Sequence, residues 1–299
     1  METAITIQGE EYFLIRNYKE NEKYRHGLNR LTRKTYGFDF EKWYHAGYWK
    51  ERYIPYSLLH KEQVVANVSV SRMDYLLDGE RKHCLQIGTV MTDEAYRGKG
   101  LSRALMEEIL KEYEGQQELI YLYANDSVLN FYPKYGFTRS QEYIHSGQFR
   151  KTGSLHPYRK LDMNSKEDVE LLNRLVTNTR PVSRITMIDN PGLAMFYLTQ
   201  FLMENIYYFE ELDLAAVAEF DEGNMLLIDV FSREDFKLEE IICSLMEQGS
   251  MKVSLGFTPP DVSGYDCNPL VEDNSAFFVK GKAAADFPGK GRFPLLSHA

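Results

Sequence analysis

The sequence predicts an α/β (α+β) protein built from two units, and three observations point to this class. The chain has 299 residues, which is longer than one average domain of about 150 residues. Strand-like and helix-like segments alternate along the first half, and a similar order of segments returns in the second half. Such alternation favours a sheet flanked by helices in each unit.

The first half contains five predicted strands and three predicted helices. Alternating or continuous apolar residues predict four of the strands, at residues 12–15, 64–70, 85–91 and 119–123. A spaced apolar pattern predicts helices at residues 20–36 and 101–113, with Leu101, Leu105 and Ile109 on one face of the second. Residues 127–135 can form a short helix that ends at Gly136, before a last strand beginning with Phe137.

A polar segment at about residues 149–165 contains Gly, Pro and Ser and predicts a boundary between domains 1–150 and 151–299. Beyond it, helices are expected at residues 194–206 and 238–246, and strands at 212–220, 225–230, 251–257 and 276–280. The second half lacks a glycine loop between its strand and helix. A degenerate repeat of the first unit and an unrelated second unit both stay open.

Composition and charge exclude several classes of partner. With 43% hydrophobic and 26% charged residues the chain is typical of globular proteins. A net charge of -9 opposes binding to nucleic acid or to anionic membranes, because both draw affinity from clustered Lys and Arg. We expect neither as a partner, whereas an acidic protein can attract an amine-bearing substrate.

The three cysteines, Cys84, Cys243 and Cys267, show neither metal-ligand spacing nor a disulfide framework, so no metal site is expected. The first residues lack the basic and apolar regions of a signal peptide. No window approaches the roughly 18 apolar residues of a membrane helix. These features predict a cytoplasmic protein, and the sequence leaves a monomer and a homo-oligomer equally open.

The segment Arg97-Gly98-Lys99-Gly100 follows a predicted strand and precedes a predicted helix. Free backbone N–H groups and the helix dipole converge at such a point, and glycines let a phosphate approach the backbone. The spacing fits neither the Walker pattern nor the dinucleotide fingerprint, so nucleotide hydrolysis and hydride transfer lose support. An ordinary exposed loop is the structural alternative.

Two motifs resemble the GNAT N-acetyltransferase superfamily, over roughly residues 12–149. Residues 89–102, TVMTDEAYRGKGLS, resemble its acetyl-CoA motif, R/Q-x-x-G-x-G/A, with Arg97 and Gly100 matching and Ser102 in place of the final Gly or Ala. Residues 125–137, NDSVLNFYPKYGF, resemble the downstream N-x-x-A-x-x-x-Y-x-x-x-G-F segment, with Val128 replacing Ala.

The resemblance implies a GNAT-type, mostly antiparallel sheet flanked by helices, with a second, degenerate GNAT-like domain. It implies an N-acetyltransferase that moves an acetyl group from acetyl-CoA to a primary amine of a small molecule or peptide by direct attack. Tyr132 falls at the position of the general acid that protonates the leaving sulfur. The implied cofactor-binding residues are Val90, Met91, Thr92, Arg97, Gly98, Lys99, Gly100, Leu101, Ser102 and Asn125.

Within this set the strand backbone at residues 90–92 is implied to pair with pantetheine and to donate an N–H to the carbonyl oxygen. The alternatives to these roles are structural. In a chain with 21 tyrosines, Tyr132 is equally open to a packing role, and Asn125 to capping a turn. A non-catalytic acyl-CoA sensor or regulatory module would share the same loop, and a purely structural protein would need both motif matches to be accidental.

The base that deprotonates the amine is not selected by the sequence. Asp93 and Glu94 lie beside the loop, where acidic residues also serve helix N-termini, and His83 and His145 are no better supported. The amine pocket is implied to include the segment after the first strand. Its aromatic residues either line that pocket or pack in the core, namely Phe38, Phe40, Trp43, Tyr44 and Trp49.

The two-part layout also resembles the enhanced intracellular survival (Eis) group of acetyltransferases. Members of that group acetylate amines, including aminoglycosides, and usually carry a third, sterol-carrier-like region and use a C-terminal carboxylate as base. The chain is short for three such regions. Neither the drug substrate nor a catalytic role for Ala299 is therefore carried over.

Overall fold

The computed structural model describes residues 2–152, 156–247, 249–284 and 289–298; Ala299 and part of the expected boundary segment, residues 153–155, lie outside them. The strands are β1 (Thr3–Ile7), β2 (Glu10–Arg16), β3 (Tyr53–His60), β4 (Gln63–Leu77), β5 (Glu80–Thr92), β6 (Leu119–Ala124), β7 (Thr138–Arg139), β8 (Tyr143–Arg150), β9 (Arg159–Lys160), β10 (Ile185–Ile188), β11 (Ile206–Phe209), β12 (Leu214–Asp221), β13 (Asn224–Phe231), β14 (Ser250–Leu255), β15 (Asp266–Pro269) and β16 (Ala276–Lys280). The helices are α1 (Glu22–Tyr36), α2 (Glu41–His45), α3 (Leu101–Tyr113), α4 (Lys166–Asn178), α5 (Pro191–Gln200) and α6 (Leu238–Leu245). No helix in these ranges is both long and apolar enough to cross a membrane.

The first sheet runs in the order β1-β2-β3-β4-β5-β6-β16-β7, and β10 pairs with the far end of β4. Its pairs are antiparallel except β5 and β6, which are parallel and are joined by α3. The β4–β5 hairpin turns at Asp78 and Gly79, both with positive φ, as the Asp-Gly pair predicts. The expected βαβ unit and the mixed, mostly antiparallel sheet are confirmed.

Helices cover both faces of the first sheet. Leu105 and Ile109 of α3 are buried against one face. Leu28 of α1 and Trp43 of α2 are buried against the other, together with Phe196 of α5. The single apolar stripe of α3 explains why one face of this helix is buried and the other is solvated.

The second sheet runs in the order β15-β8-β14-β13-β12-β11-β9. Its one parallel pair is β13 and β14, joined by α6, so it repeats the β5–α3–β6 arrangement of the first sheet. Helices α4 and α5 pack on one face and α6 on the other. The second unit therefore has the order of strands and helices that the sequence predicts, and its fold resembles that of the first unit.

Helix α5 lies between the two sheets and contributes to the cores of both. Buried residues surround it, which explains why its sequence, PGLAMFYLTQ, has no polar face. At Gly192 a Cβ would meet Tyr48 O at 2.2 Å, so only glycine fits this contact. The expected helix at residues 194–206 is wrong in its last part, because α5 ends at Gln200 and Ile206 begins β11.

The C-terminal segment connects the two units. Strand β16 inserts between β6 and β7 of the first sheet, and Phe293 is buried beside them. Strand β8, which starts at Tyr143, already belongs to the second sheet. The division into residues 1–150 and 151–299 stays a prediction, and each sheet draws strands from both sides of it.

Candidate active site

A cleft of about 1200 Å³ opens where β5 and β6 separate. The two strands pair only between Cys84–Ile87 and Leu119–Leu122, and both continue beyond these residues without pairing to each other. The N-terminus of α3 and the turn after β6 close the cleft on one side. It is lined by all but one of the residues that the sequence singled out, namely Val90, Met91, Thr92, Arg97, Gly98, Gly100, Leu101, Ser102, Asn125 and Tyr132.

The glycine loop presents a group of free amide donors to this cleft. Gly98 and Gly100 have φ of +78° and +76°, a left-handed conformation that favours glycine. Across the described ranges, the backbone N–H groups of Gly98, Lys99 and Gly100 have no hydrogen-bond acceptor. The first-turn N–H groups of the 13-residue helix α3 add to them, as does the positive end of its dipole.

Basic side chains surround the donors, but not all of those expected. Arg97 lines the cleft, as do Arg103 and Lys134, which the sequence analysis missed. Lys99 does not line it, since its Nζ lies 3.1 Å from Glu10 Oε2 and 5.2 Å from the centre of the Tyr96 ring. The signals for the missed residues were a basic side chain in the first turn of α3 and another two residues after Tyr132.

The end of β5 carries a bulge at the cleft. Ser69 of β4 faces Gly88, but Asn67 faces Met91, so β5 holds an extra residue here. Thr89 has a φ of +50°, which is a strained conformation for a β-branched residue. The bulge reorients the backbone at Thr89 and Val90 away from regular pairing, and the cleft uses this irregular stretch as its wall.

A buried polar network supports the bulge from behind. Asn67 Nδ2 donates to Thr89 O at 2.9 Å and to Ser69 Oγ at 2.9 Å, and Ser57 Oγ donates to Asn67 Oδ1 at 2.8 Å. The Tyr53 hydroxyl lies 3.0 Å from Thr89 Oγ1. Sequence reasoning missed these residues, although alternating polar residues in the apolar run ANVSVS were a signal for them.

Two further polar contacts order the cleft. Thr92 Oγ1 and Ser102 Oγ lie 2.7 Å apart and form a hydrogen bond between the end of β5 and the start of α3. Ser102 is the residue that stands in place of the final Gly or Ala of the motif. Asn125 follows β6, and its Oδ1 accepts a hydrogen bond from Ser127 Oγ at 2.6 Å. Among the described residues the side-chain amide nitrogen of Asn125 has no hydrogen-bond acceptor, so it can donate to a ligand.

Tyr132 lies in a short 3-10 turn and is 4% exposed. Its ring contacts Phe131, Phe137 and Phe278. A tyrosine hydroxyl is protonated at neutral pH, and burial raises the pKa of Tyr132 further above its ordinary value. In the part of the chain that the structure describes, this hydroxyl has no hydrogen-bond partner. The proton is therefore available for donation into the cleft.

The aromatic segment after the first strands is mostly core. Phe40, Trp43 and Trp49 are buried and contact one another, which supports the packing interpretation, and Tyr44 packs against the Arg25 guanidinium. Phe38 does line the cleft. Beside it lies Tyr36, which is 46% exposed and whose hydroxyl donates to Val90 O at 3.2 Å.

The four candidate bases do not line the cleft. Asp93 accepts hydrogen bonds from Ala95 N and Lys34, which lower the pKa of its carboxyl, and Glu94 lies beside it. His83 lies 2.6 Å from Asp74, and His145 is buried in the second sheet. The cleft lining contains no Asp, Glu or His among the described residues.

The equivalent position in the second sheet is closed. Beyond its parallel pairing with β13, β14 is followed by Gly256, whose N–H donates to Leu227 O at 2.7 Å. A Cβ on Gly256 would meet Ile228 O at 2.5 Å, and Leu295 of the C-terminal segment donates its N–H to Gly256 O. The strands that separate to form a cleft in the first unit are thus bridged and covered in the second.

Comparisons with known proteins agree with this geometry. The structure is similar to that of a conserved protein of unknown function from Enterococcus faecalis V583, described as a probable N-acyltransferase, at 15% identity, TM-score 0.57 and coverage of 91% of this chain and 72% of that one. Eis1 from Mycobacterium abscessus is similar at 11% identity, TM-score 0.55 and coverage of 89% and 72%. A GCN5-related N-acetyltransferase from Kribbella flavida has 14% identity, TM-score 0.51 and coverage of 90% and 70%. No curated protein matches the sequence.

The parted parallel strands, the β5 bulge and the free amides at the start of α3 all lie in the part of the chain that matches a known acetyltransferase domain. Residues 15–140 match the acetyltransferase (GNAT) domain model. This part of the chain is thus a GNAT acetyltransferase domain, and the fold of the chain is similar to that of Eis1.

Proposed function

We propose that the protein is an N-acetyltransferase that moves an acetyl group from acetyl-CoA to a primary amine by direct attack. The single observation that carries the proposal is the convergence on one cleft of unpaired loop amides, a strained strand bulge and a protonated Tyr132. Among the described residues the loop amides and the Tyr132 hydroxyl have no hydrogen-bond partner, and the bulge holds Thr89 in a strained backbone conformation. A ligand that carries both phosphates and a thioester accounts for all three.

The roles follow from the charges that develop in the reaction. The amides of residues 98–100 with Arg97 would hold the pyrophosphate, and Arg103 and Lys134 would add positive charge. The backbone around Val90 would pair with pantetheine and donate to the carbonyl oxygen as the amine nitrogen bonds to the carbonyl carbon. As the carbon–sulfur bond breaks, Tyr132 would give its proton to the sulfur.

The acceptor side of the cleft favours an amine with an apolar or aromatic body. Tyr36 and Phe38 lie there, and the basic residues of the lining lie on the side of α3 and the following turns. Since the described lining has no carboxylate, it offers no counter-ions to a polycationic amine. A small molecule or a peptide with one exposed amino group fits this surface. Three cysteines without disulfide bonds agree with a cytoplasmic enzyme.

The experiment compares Tyr132→Phe with Tyr135→Phe. Tyr135 lies in the same 3-10 turn but does not line the cleft, so it is a matched control for the loss of a hydroxyl. We expect Tyr132→Phe to lower kcat by about 10²- to 10⁴-fold without changing the affinity for CoA, and Tyr135→Phe to leave both unchanged. Product formation is followed by mass spectrometry over a panel of amines.

The possible results separate the alternatives. Full turnover by Tyr132→Phe would reject the acid assignment. CoA binding by calorimetry without product from any amine would favour the acyl-CoA sensor. The absence of CoA binding would favour a purely structural protein.

A further inference from the structure

The acceptor amine creates a problem that the cleft wall does not solve. A primary amine arrives mainly as ammonium at neutral pH and must lose a proton before its lone pair can attack. Since no Asp, Glu or His lines the described part of the cleft, a carboxylate or imidazole of the described residues that accepts the proton acts from behind the wall.

Tyr123 is the wall residue that reaches such a group. Among the described residues it alone lines both the cleft and a second cavity of about 40 Å³, which has room for water. Its hydroxyl donates to Glu142 Oε1 at 3.2 Å. The ring is fixed between Phe277, with centroids 5.3 Å apart, and His298, with centroids 4.0 Å apart.

Glu142 has the environment of a group that exchanges a proton near neutral pH. It is 3% exposed, and burial raises the pKa of its carboxyl to about 7 although Arg292 lies near it. Phe293 N donates to the same oxygen, Oε1, at 2.8 Å. The other titratable and charged groups that face it are Tyr123, on whose ring His298 stacks, Tyr75 of β4, and Glu272 and Arg139 around the cavity.

The small cavity gives the proton a way out. Glu142 lines it together with Arg139 and Gln141, whose exposed side chains connect it with bulk water. The cleft, Tyr123, Glu142 and solvent therefore follow one another in space.

We propose that Tyr123 and Glu142 form a proton relay that deprotonates the acceptor ammonium, an inference that rests on the proposed acetyl transfer. The ammonium N–H bond breaks and its proton goes to the Tyr123 oxygen while the Tyr123 proton moves to the Glu142 carboxylate. The nitrogen keeps the electron pair and attacks the thioester. The neutral Glu142 then releases the proton to water in the small cavity.

The test measures kcat/KM against pH, with acetyl-CoA and 2-phenylethylamine as probes, for wild type, Glu142→Gln and Glu272→Gln. Glutamine keeps an acceptor oxygen for Tyr123 and Phe293 but cannot take a proton. We expect the wild-type rate to rise with an apparent pKa near 7. Glu142→Gln should lose this limb, fall at least tenfold at pH 7 and recover as the pH approaches the pKa of the free amine.

The control and a second variant keep the proposal falsifiable. Glu272→Gln removes a neighbouring carboxylate from the same cavity and should keep the rising limb, moved slightly to lower pH because the charge of Glu272 raises the pKa of Glu142. Tyr123→Phe retains the stacked ring, removes the hydroxyl and should behave as Glu142→Gln does, including recovery at high pH, so it tests the relay if Glu142→Gln fails to fold. An unchanged profile in a folded variant, or an equal loss at every pH, would overturn the relay while acetyl transfer stands. Absence of product from the wild type across the amine panel would instead remove the proposed function.

Discussion

Replacing Gly98 with alanine tests whether the loop amides hold the cofactor. A non-glycine residue at a φ of +78° costs roughly 1–2 kcal/mol of stability because its Cβ approaches the following carbonyl oxygen. No atom lies within 4 Å of the new Cβ, so the unliganded fold accommodates it sterically. The effect on stability should therefore be limited to backbone strain.

The effect on the cofactor should be larger and separate. Gly98 lines the cleft, and a Cβ there keeps a phosphate from close approach to the amides. Losing one charge-assisted hydrogen bond costs about 1.5–3 kcal/mol, which raises the dissociation constant for CoA about 10- to 100-fold. Calorimetric titration with CoA measures this change directly.

Gly115→Ala is the matched control. Gly115 has a φ of +82°, would also have no atom within 4 Å of an added Cβ, and lies beyond the C-terminal end of α3, away from the cleft. Both variants should lose a similar free energy of unfolding, measured by chemical denaturation, and only Gly98→Ala should lose affinity. Equal affinities for CoA in the two variants would refute a phosphate site at this loop.

Two further predictions concern the polar residues Asn67 and Asp229. Asn67→Ala should destabilise the fold by about 2–3 kcal/mol and lower kcat, because it leaves the Thr89 carbonyl without a partner and removes one hydrogen bond each from Ser57 and Ser69. Denaturant unfolding measures this loss. Asn178→Ala is the control, because Asn178 is exposed and its replacement should change the free energy of unfolding by less than about 0.5 kcal/mol. Equal losses in the two variants would contradict the role of the network. Burial raises the pKa of Asp229 from 3.8 to about 7, so its stabilising contribution is complete below pH 4 and is lost as the pH rises to about 7. Asp229→Asn should therefore add up to ~4 kcal/mol of stability at pH 8 and little at pH 4, measured by unfolding at both, and an equal effect at the two pH values would contradict this origin. Glu142 titrates with the same sign, so a smaller decline should remain in the variant.

Much of the candidate site is predictable because its signals are local. The bounds of α3 agree with the expected 101–113, since the apolar stripe and the preceding glycines lie within one stretch of chain. Arg97, Asn125 and Tyr132 line the cleft together, and each was predictable because it belongs to a short motif within one stretch of chain. The direction of Lys99 is not predictable, because it depends on Glu10, a residue of β2 that is distant in sequence.

The errors in the second half have a physical cause as well. A run of apolar residues does not distinguish a buried helix from a buried strand, so the pattern over residues 194–206 predicts one helix. In the structure the helix ends at Gln200 and β11 starts at Ile206. Apolar residues of both segments are buried in the same core, so the apolar pattern does not mark the point where one ends and the other begins. The sequence leaves the roles of Phe40, Trp43 and Trp49 open, and the packing of α5 against them places them in the core.

The sequence by itself determined the glycine loop, its helix and the two motifs around the cleft, because backbone conformation and helical periodicity act over a few residues. Only the tertiary structure decided that β16 enters the first sheet, that Asn67 supports the bulge, and that Phe293 closes over Glu142. These contacts join residues far apart in the chain, and which strand pairs with which depends on the free energy of the assembled core rather than on any local pattern.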